Sequence, residues 1–294
     1  MVMVTSSVGK VAADPTARIA VLGLGPVPPG DPVLRGDDLG VLHGDGLFET
    51  MHLRHGRPWL RDEHLARLAT AAAAVELALP PTAALIDLLD EVRAGWPAPV
   101  EGALRLVCTR GPEAGGPPTV YATLAEVPAA SRAARRDGIA VASLPLGLPA
   151  AARTELSWLP AGIKSTSYAV SSAARRWARR AGVDDVLWIS SDGYALEGPT
   201  ANVVWLTDDT LCTVPAASTG ILAGTTVAWL LAHATELGLS AAERMVTPAE
   251  LHAADGVWFT SSLRGAAEVN TLDGVRRARC PRTPALQALL GFPV

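Results

Sequence analysis

The strongest constraint on the fold is a break in pattern. Between about residues 127 and 138 the apolar periodicity of this 294-residue chain gives way to Pro, Ala, Ser and Arg, the composition of a linker. On either side, short strand-like and helical runs follow one another with no fixed period, which predicts an α+β fold in two halves rather than a doubly wound parallel sheet. The expected division is a loose tail over 1–17, a small α/β domain over 18–126, the linker over 127–138, and a larger domain over 139–294. A chain this long buries enough apolar surface to need no disulfide or metal staple.

The first half opens on the apolar run Ile19-Ala20-Val21-Leu22, followed by Gly23-Leu24-Gly25-Pro26 and Pro28-Pro29-Gly30. Glycines after a strand suggest a phosphate loop, but the prolines forbid the helix that such a loop must open, so the segment reads as turns. Leu47 to Leu53 reads as a strand, with a hairpin turn at His55-Gly56-Arg57 and a return at Pro58-Trp59-Leu60. A helix follows, with Asp62 as its cap, Glu63 in its first turn and Leu65, Leu68, Ala69, Ala72 and Val75 at helical spacing. Another helix is expected over about 82–94, then strands over 102–109 and 120–124. Beyond the break, strands are predicted over 139–143, 186–189, 201–206 and 257–260, and helices near 167–181 and from about Gly224. Asp192-Gly193 is a hairpin turn signal.

A net charge of -4 argues against nucleic acid or an anionic membrane as the main partner. Arg175, Arg176, Arg179 and Arg180 form a dense basic run, expected as a solvated face near a helix C-terminus, where cations suit the dipole. Cys108, Cys212 and Cys280 are widely spaced and lack a C-x-x-C pattern, which points away from a disulfide framework or a cysteine zinc site and towards a reducing cytoplasm. The longest stretch without a charged residue, Thr210 to Thr235, is interrupted by Pro215, Gly220 and Gly224 and does not read as membrane-spanning. No basic segment followed by an apolar core marks a secretory signal. His64 has no second ligand nearby in sequence and is expected to support the first half rather than a metal.

The basic residues are unevenly divided, with two lysines, Lys10 and Lys164, against 23 arginines. Lys10 falls in the expected tail. Lys164 is therefore the one primary amine expected in a folded half, and an amine that can lose its proton does chemistry closed to a guanidinium; a chance surface lysine is the alternative. Glu197 follows a hairpin turn at the mouth of an apolar strand, where its carboxylate could face an aromatic nitrogen. Gly224-Thr225-Thr226 opens a helix whose free N–H groups, two hydroxyls and dipole suit an anion.

In this order and spacing the features resemble the fold-type IV pyridoxal-phosphate enzymes, the group of branched-chain aminotransferases, D-amino-acid aminotransferases and 4-amino-4-deoxychorismate lyases. The resemblance runs from Gly44-Asp45-Gly46-Leu47-Phe48-Glu49 through Glu63-His64-Leu65-Ala66-Arg67-Leu68, Thr109-Arg110-Gly111, Ile163-Lys164-Ser165, Glu197-Gly198-Pro199-Thr200-Ala201-Asn202-Val203 and Gly224-Thr225-Thr226 to Phe259-Thr260-Ser261-Ser262. It implies a two-domain fold like that of D-amino-acid aminotransferase, with pyridoxal 5′-phosphate between the domains, and a homodimer. It implies that Lys164 holds the cofactor covalently and shuttles protons, that Glu197 faces the pyridine nitrogen, and that Arg67, Gly224, Thr225, Thr226 and Ser262 take the phosphate. Phe48 and Arg110 are the implied substrate contacts, Arg110 being either the carboxylate arginine of some members or a solvated charge. Two departures from the family pattern stand out: the usual Ile-Thr-Arg reads Thr225-Thr226-Val227, and the strand after Gly46 carries His52. The implied reaction is the lyase, in which 4-amino-4-deoxychorismate loses pyruvate to give 4-aminobenzoate. An aminotransferase for branched-chain or D-amino acids, or a cofactor-binding protein without turnover, are the alternatives.

Overall fold

The computed structural model describes residues 17–156 and 158–292. All but the last position of the expected tail, Lys10 included, lies outside the described residues. Two sheets organise the chain. The first contains β1 (Arg18–Val21), β2 (Gly25–Val27), β3 (Gly46–Arg54), β4 (Arg57–Pro58), β5 (Gly102–Thr109) and β6 (Thr119–Glu126), in the order β2-β1-β6-β5-β3-β4. Every pairing in it is antiparallel. The Gly/Pro segment after β1 makes the tight β1–β2 hairpin, in which Val21 pairs with Gly25.

Strand pleating divides this sheet into two chemically different faces. Leu47, Met51 and Leu53 of β3, with Leu104 and Leu106 of β5, point to one side and are buried by Leu65, Leu68, Leu85 and Leu88. Those leucines come from the helices Arg61–Ala74 and Thr82–Arg93, and burying each such side chain is worth about 1.5–3 kcal/mol. Residues of the opposite parity, Phe48, Thr50, Arg105, Val107, Tyr121 and Thr123, face a cleft.

The second sheet contains β7 (Ile139–Pro145), β8 (Asp185–Ile189), β9 (Glu197–Gly198), β10 (Ala201–Thr207), β11 (Thr210–Thr213), β12 (Ser240–Glu243), β13 (Gly256–Ser261), β14 (Gly265–Leu272) and β15 (Val275–Arg276). Its main path is β12-β11-β10-β13-β14-β7-β8, with β9 on β10 and β15 on β14. Both faces are covered. Val203, Trp205 and Phe259 pack on one side, whereas Val204, Leu206 and Trp258 pack on the other with side chains of the helices Thr225–Ala232 and Thr283–Leu289. Burial on both sides explains why 201–206 reads as an almost unbroken apolar run.

Several expectations need correction. The stretch 127–138, expected only as a linker between the halves, carries the helix Ala129–Asp137. That helix buries Arg135, which donates to Glu101 at 2.9 Å and to the Leu263 carbonyl at 3.1 Å. Asp62 does not cap its helix; the preceding position is Leu60, left-handed at φ 55° and without a side-chain cap, and Asp62 and Glu63 sit in the first turn where they favour the dipole. The return strand stops at Pro58, and Trp59 packs edge-on against Trp229 instead. Strands β11, β12 and β14 and the helix Thr283–Leu289 add to the expected set. His52, the departure on β3, bonds Glu101 at 2.7 Å and stacks on Phe292, so it lies where the C-terminal stretch covers the far end of the first sheet. Among the described residues no helix is long and apolar enough to cross a membrane.

Candidate active site

Lys164 is lashed to the start of β3. The Phe48 N–H donates to the Lys164 carbonyl at 3.0 Å, the Thr166 N–H to the Gly46 carbonyl at 2.9 Å, and the Thr166 hydroxyl to the Gly44 carbonyl at 2.8 Å. These bonds set the amine 4.5 Å from the centre of the Phe48 ring. Burial brings Lys164 down to about 8; Glu49 and Glu197 oppose that shift, and Arg67 and Arg105 add to it. Proton release near neutrality becomes accessible to this amine.

Glu197 leaves β9 beside β10 and accepts the Leu222 N–H at 3.2 Å, with Arg153 at 3.6 Å. Burial pushes the carboxyl up to about 7 against the pull of Arg153, which is the largest opposing influence. Glu197 and Lys164 line one cavity of about 360 Å³ with Arg67, Gly224, Thr225, Thr226 and Ser262.

One end of that cavity is the start of the helix Thr225–Ala232, whose first N–H groups have no partner within the helix. Gly224 precedes it. A Cβ on Gly224 would lie 1.9 Å from Asn202 Oδ1, so only glycine fits there, and Asn202 in turn donates to the Leu222 carbonyl at 2.7 Å. The buried Thr226 hydroxyl has no hydrogen-bond partner, an arrangement that is costly unless a ligand completes it.

Arg67 and His64 reach the same spot from the helix Arg61–Ala74. Arg67 donates through Nε and Nη2 to the two oxygens of Glu49 at 2.8 and 2.6 Å, and through Nη1 to the Ala223 carbonyl at 2.9 Å. His64 Nδ1 lies 2.6 Å from Glu49 Oε2, while its Nε2 lies 3.2 Å from the Thr225 hydroxyl and 3.4 Å from that of Ser262. Burial alone would raise the Glu49 carboxyl, but hydrogen bonds from His64 and Arg67 bring it down to about 2. His64 therefore does more than support the first sheet: it joins that sheet's helix to the second.

This donor set fits pyridoxal phosphate. A helix start, an unpartnered hydroxyl, a guanidinium and two further hydroxyls suit its phosphate, Lys164 suits its aldehyde, and Glu197 suits its ring nitrogen. Beyond Lys164 a second cavity of about 920 Å³ is walled by Phe48, Arg105 and Tyr168. Arg105 pairs with no carboxylate among the described residues; its one hydrogen bond is a long one of 3.4 Å to the Thr50 hydroxyl, and its guanidinium lies 5.5 Å from the Phe48 ring centre.

Of the site residues expected from sequence, the structure brings together all but Arg110. That side chain lies outside both cavities and ties Asp45 to the Val75 and Glu76 carbonyls at the end of the helix Arg61–Ala74. Arg175, Arg176, Arg179 and Arg180 are all exposed, and Arg175 also reaches the rim of the larger cavity. The reading from sequence missed Glu49, Arg105 and Arg153. Glu49 could have been found, because it shares the core-facing parity of Leu47 and Met51 and needs a cationic partner there.

A family model described as amino-transferase class IV matches residues 46–272. The bifunctional aminodeoxychorismate lyase / D-amino acid transaminase of Mycobacterium tuberculosis is 40% identical over 264 residues, covering 87% of this chain and 90% of that one. A hypothetical aminotransferase from Mycobacterium tuberculosis, solved in a PLP-bound form, superimposes with a TM-score of 0.89 at 39% identity, covering 94% of this chain and 97% of the other. The fold IV transaminase CpuTA1 of Curtobacterium pusillum follows with a TM-score of 0.87 at 35% identity, covering 94% and 98%. With its match to the family spanning the cleft from the start of β3 to the end of β14, the chain belongs to the class IV amino-transferases.

Proposed function

We propose that this chain is a pyridoxal-phosphate enzyme that takes 4-amino-4-deoxychorismate to pyruvate and 4-aminobenzoate. The observation that carries the reading is the convergence of Lys164, Glu197 and the incomplete anion cradle on one cavity, with a second, larger cavity on the other side of the lysine. When bound, pyridoxal phosphate would supply an aldehyde reactive towards an amine and a pyridine ring able to accept electrons. Arg67, Thr225, Thr226 and Ser262 would hold its phosphate. Lys164 removes the proton from the substrate carbon bearing nitrogen and returns a proton to the departing enolpyruvyl oxygen. Glu197, ionised, keeps the ring nitrogen protonated. Phe48 walls the reacting side, and Arg105 takes a substrate carboxylate in place of Arg110.

Two facts favour the lyase: the cavity of about 920 Å³ has room for a ring-bearing dicarboxylate, and the Mycobacterium tuberculosis relative carries that activity in its name. The same name favours a second reading, transamination of D-amino acids, which needs a 2-oxo acid acceptor. With aminodeoxychorismate and no oxo acid, stoichiometric pyruvate and 4-aminobenzoate are expected; strict dependence on 2-oxoglutarate would leave only the transaminase. In the same assay Arg105→Gln should raise KM about 10-fold or more with a smaller change in kcat, as expected for loss of a charge-assisted contact. An unchanged KM would remove Arg105 from the site.

We also propose a cytoplasmic homodimer. Leu148, Leu156, Trp158 and Val170 are large exposed apolar residues, and Leu148 and Val170 line the smaller cavity, so a second copy would cover them beside the site. Sedimentation should give twice the 30.5 kDa chain mass; a single-chain mass refutes the dimer.

A further inference from the structure

The anion cradle carries less positive charge than it first presents. Arg67 is forked onto Glu49 through Nε and Nη2, and its Nη1 is bonded to the Ala223 carbonyl. Glu49 offsets much of the Arg67 charge, so beside the two guanidinium N–H groups left over, a phosphate dianion would meet chiefly a helix dipole and hydroxyl groups.

The hydroxyls face a second difficulty. His64 is fully buried, with Nδ1 at 2.6 Å from the Glu49 carboxylate. A proton on Nδ1 makes that bond, which leaves Nε2 of a neutral ring as an acceptor. Its neighbours there are the Thr225 and Ser262 hydroxyls, at 3.2 and 3.4 Å. Each hydroxyl has one proton. A proton given to Nε2 is not available to a phosphate.

Resting on the cofactor reading above, we infer that His64 takes up a proton from solvent when a phosphate dianion enters the cradle, and that the resulting Nε2–H turns the Thr225 and Ser262 hydroxyls to the phosphate. The balance is simple: one proton moves from water to Nε2, no covalent bond between heavy atoms changes, and the cradle gains one positive charge. Nε2–H donates to a hydroxyl oxygen, and both hydroxyl protons become available to the anion.

The surroundings of His64 set the sign. Glu49 on β3 favours the imidazolium, while Arg67 on the same helix and Lys164, from the segment before the helix Ala169–Ala181, oppose it. Thr225 and Ser262 complete the groups facing the ring from the second sheet and are uncharged. Burial, ahead of any of these charges, lowers His64 from its ordinary value and keeps the ring neutral in the free protein at neutral pH. An arriving dianion reverses that balance. His64 is thus a positioning residue whose charge follows occupancy.

The test uses the full chain freed of cofactor and titrated at pH 8 with pyridoxine 5′-phosphate, which has the phosphate and ring but no aldehyde to react with Lys164. Calorimetry in two buffers of different ionisation heat reads the protons taken up. Wild type should take up about one proton more than His64→Gln, and its affinity should fall about 10-fold more per unit of rising pH. Equal uptake by the two proteins overturns the inference. Nitrogen NMR of histidine-labelled wild type gives a variant-free check, in which one imidazole should become doubly protonated only with the ligand; a spectrum that stays neutral overturns it equally. A wild-type protein that binds no pyridoxine 5′-phosphate overturns the cofactor reading, and this inference with it.

Discussion

Lys164→Ala is expected to lose the borohydride-sensitive visible absorbance of the loaded protein and to cut turnover about 10⁴-fold, the scale on which a lost proton-transferring nucleophile is felt. Among the described residues no other primary amine can stand in. The one other lysine is Lys10, and the described basic groups around the cleft are arginines and His64. Lys164→Arg should do no better than alanine, because a guanidinium stays protonated at any working pH and does not condense with an aldehyde. Its failure would separate a need for the amine from a need for positive charge. A visible band that borohydride still bleaches in Lys164→Ala would remove the residue from its role.

Glu197→Gln should keep the cofactor but lower turnover about 10²-fold or more, as expected when a preorganised charge beside the reacting group is lost. The glutamine amide can still meet a ring nitrogen but cannot hold a proton on it. Arg153 gives a graded version of the same experiment. It opposes the burial that pushes Glu197 up to about 7, so Arg153→Gln should raise that carboxyl further. On the proposed assignment, activity needs the ionised carboxylate. The acid limb of the pH–rate profile should therefore move to higher pH in Arg153→Gln, with rate recovered on the alkaline side. A profile that keeps its acid limb in place, or a Glu197→Gln protein with normal turnover, would contradict this assignment.

What the sequence could show divides along physical lines. Lys164, Glu197 and the Gly224-Thr225-Thr226 helix start were legible because each needs one residue type in one local setting: an amine, a carboxylate beside an apolar strand, free N–H groups with hydroxyls. Arg105 and Arg110 show where local reading fails. Both belong to the β5 region, but they are five positions apart, and an odd spacing sends two strand residues to opposite faces. Arg105 goes to the cleft with Val107; Arg110 goes to the helix side with Leu104 and Leu106 and satisfies the carbonyls of Val75 and Glu76. Alternation counted from the leucines would have preferred Arg105.

The helix within 127–138 was hidden for a different reason. Ala and Arg are good helix formers, and Pro128 directly before the helix is well placed, so the local signal was present. What it lacks is an apolar stripe, because its one buried side chain is Arg135, held by Glu101 from the opposite sheet. Strand β14 was hidden by composition: its Ala266-Ala267-Glu268 start is poor in β-branched residues, and its place between β13 and β7 settles it as strand.

The anion cradle takes His64 and Arg67 from the first sheet's helix and Thr225, Thr226 and Ser262 from the second sheet's elements. A ligand seated there fastens the two sheets to each other. By mass action, a free concentration a thousand times the dissociation constant adds about 4 kcal/mol to the folded state, which is comparable to the whole margin of many domains. The lifetime of such a chain inside a cell would then follow the supply of its vitamin-derived ligand, and scarcity would be registered first as a shrinking pool of protein rather than as slower enzyme.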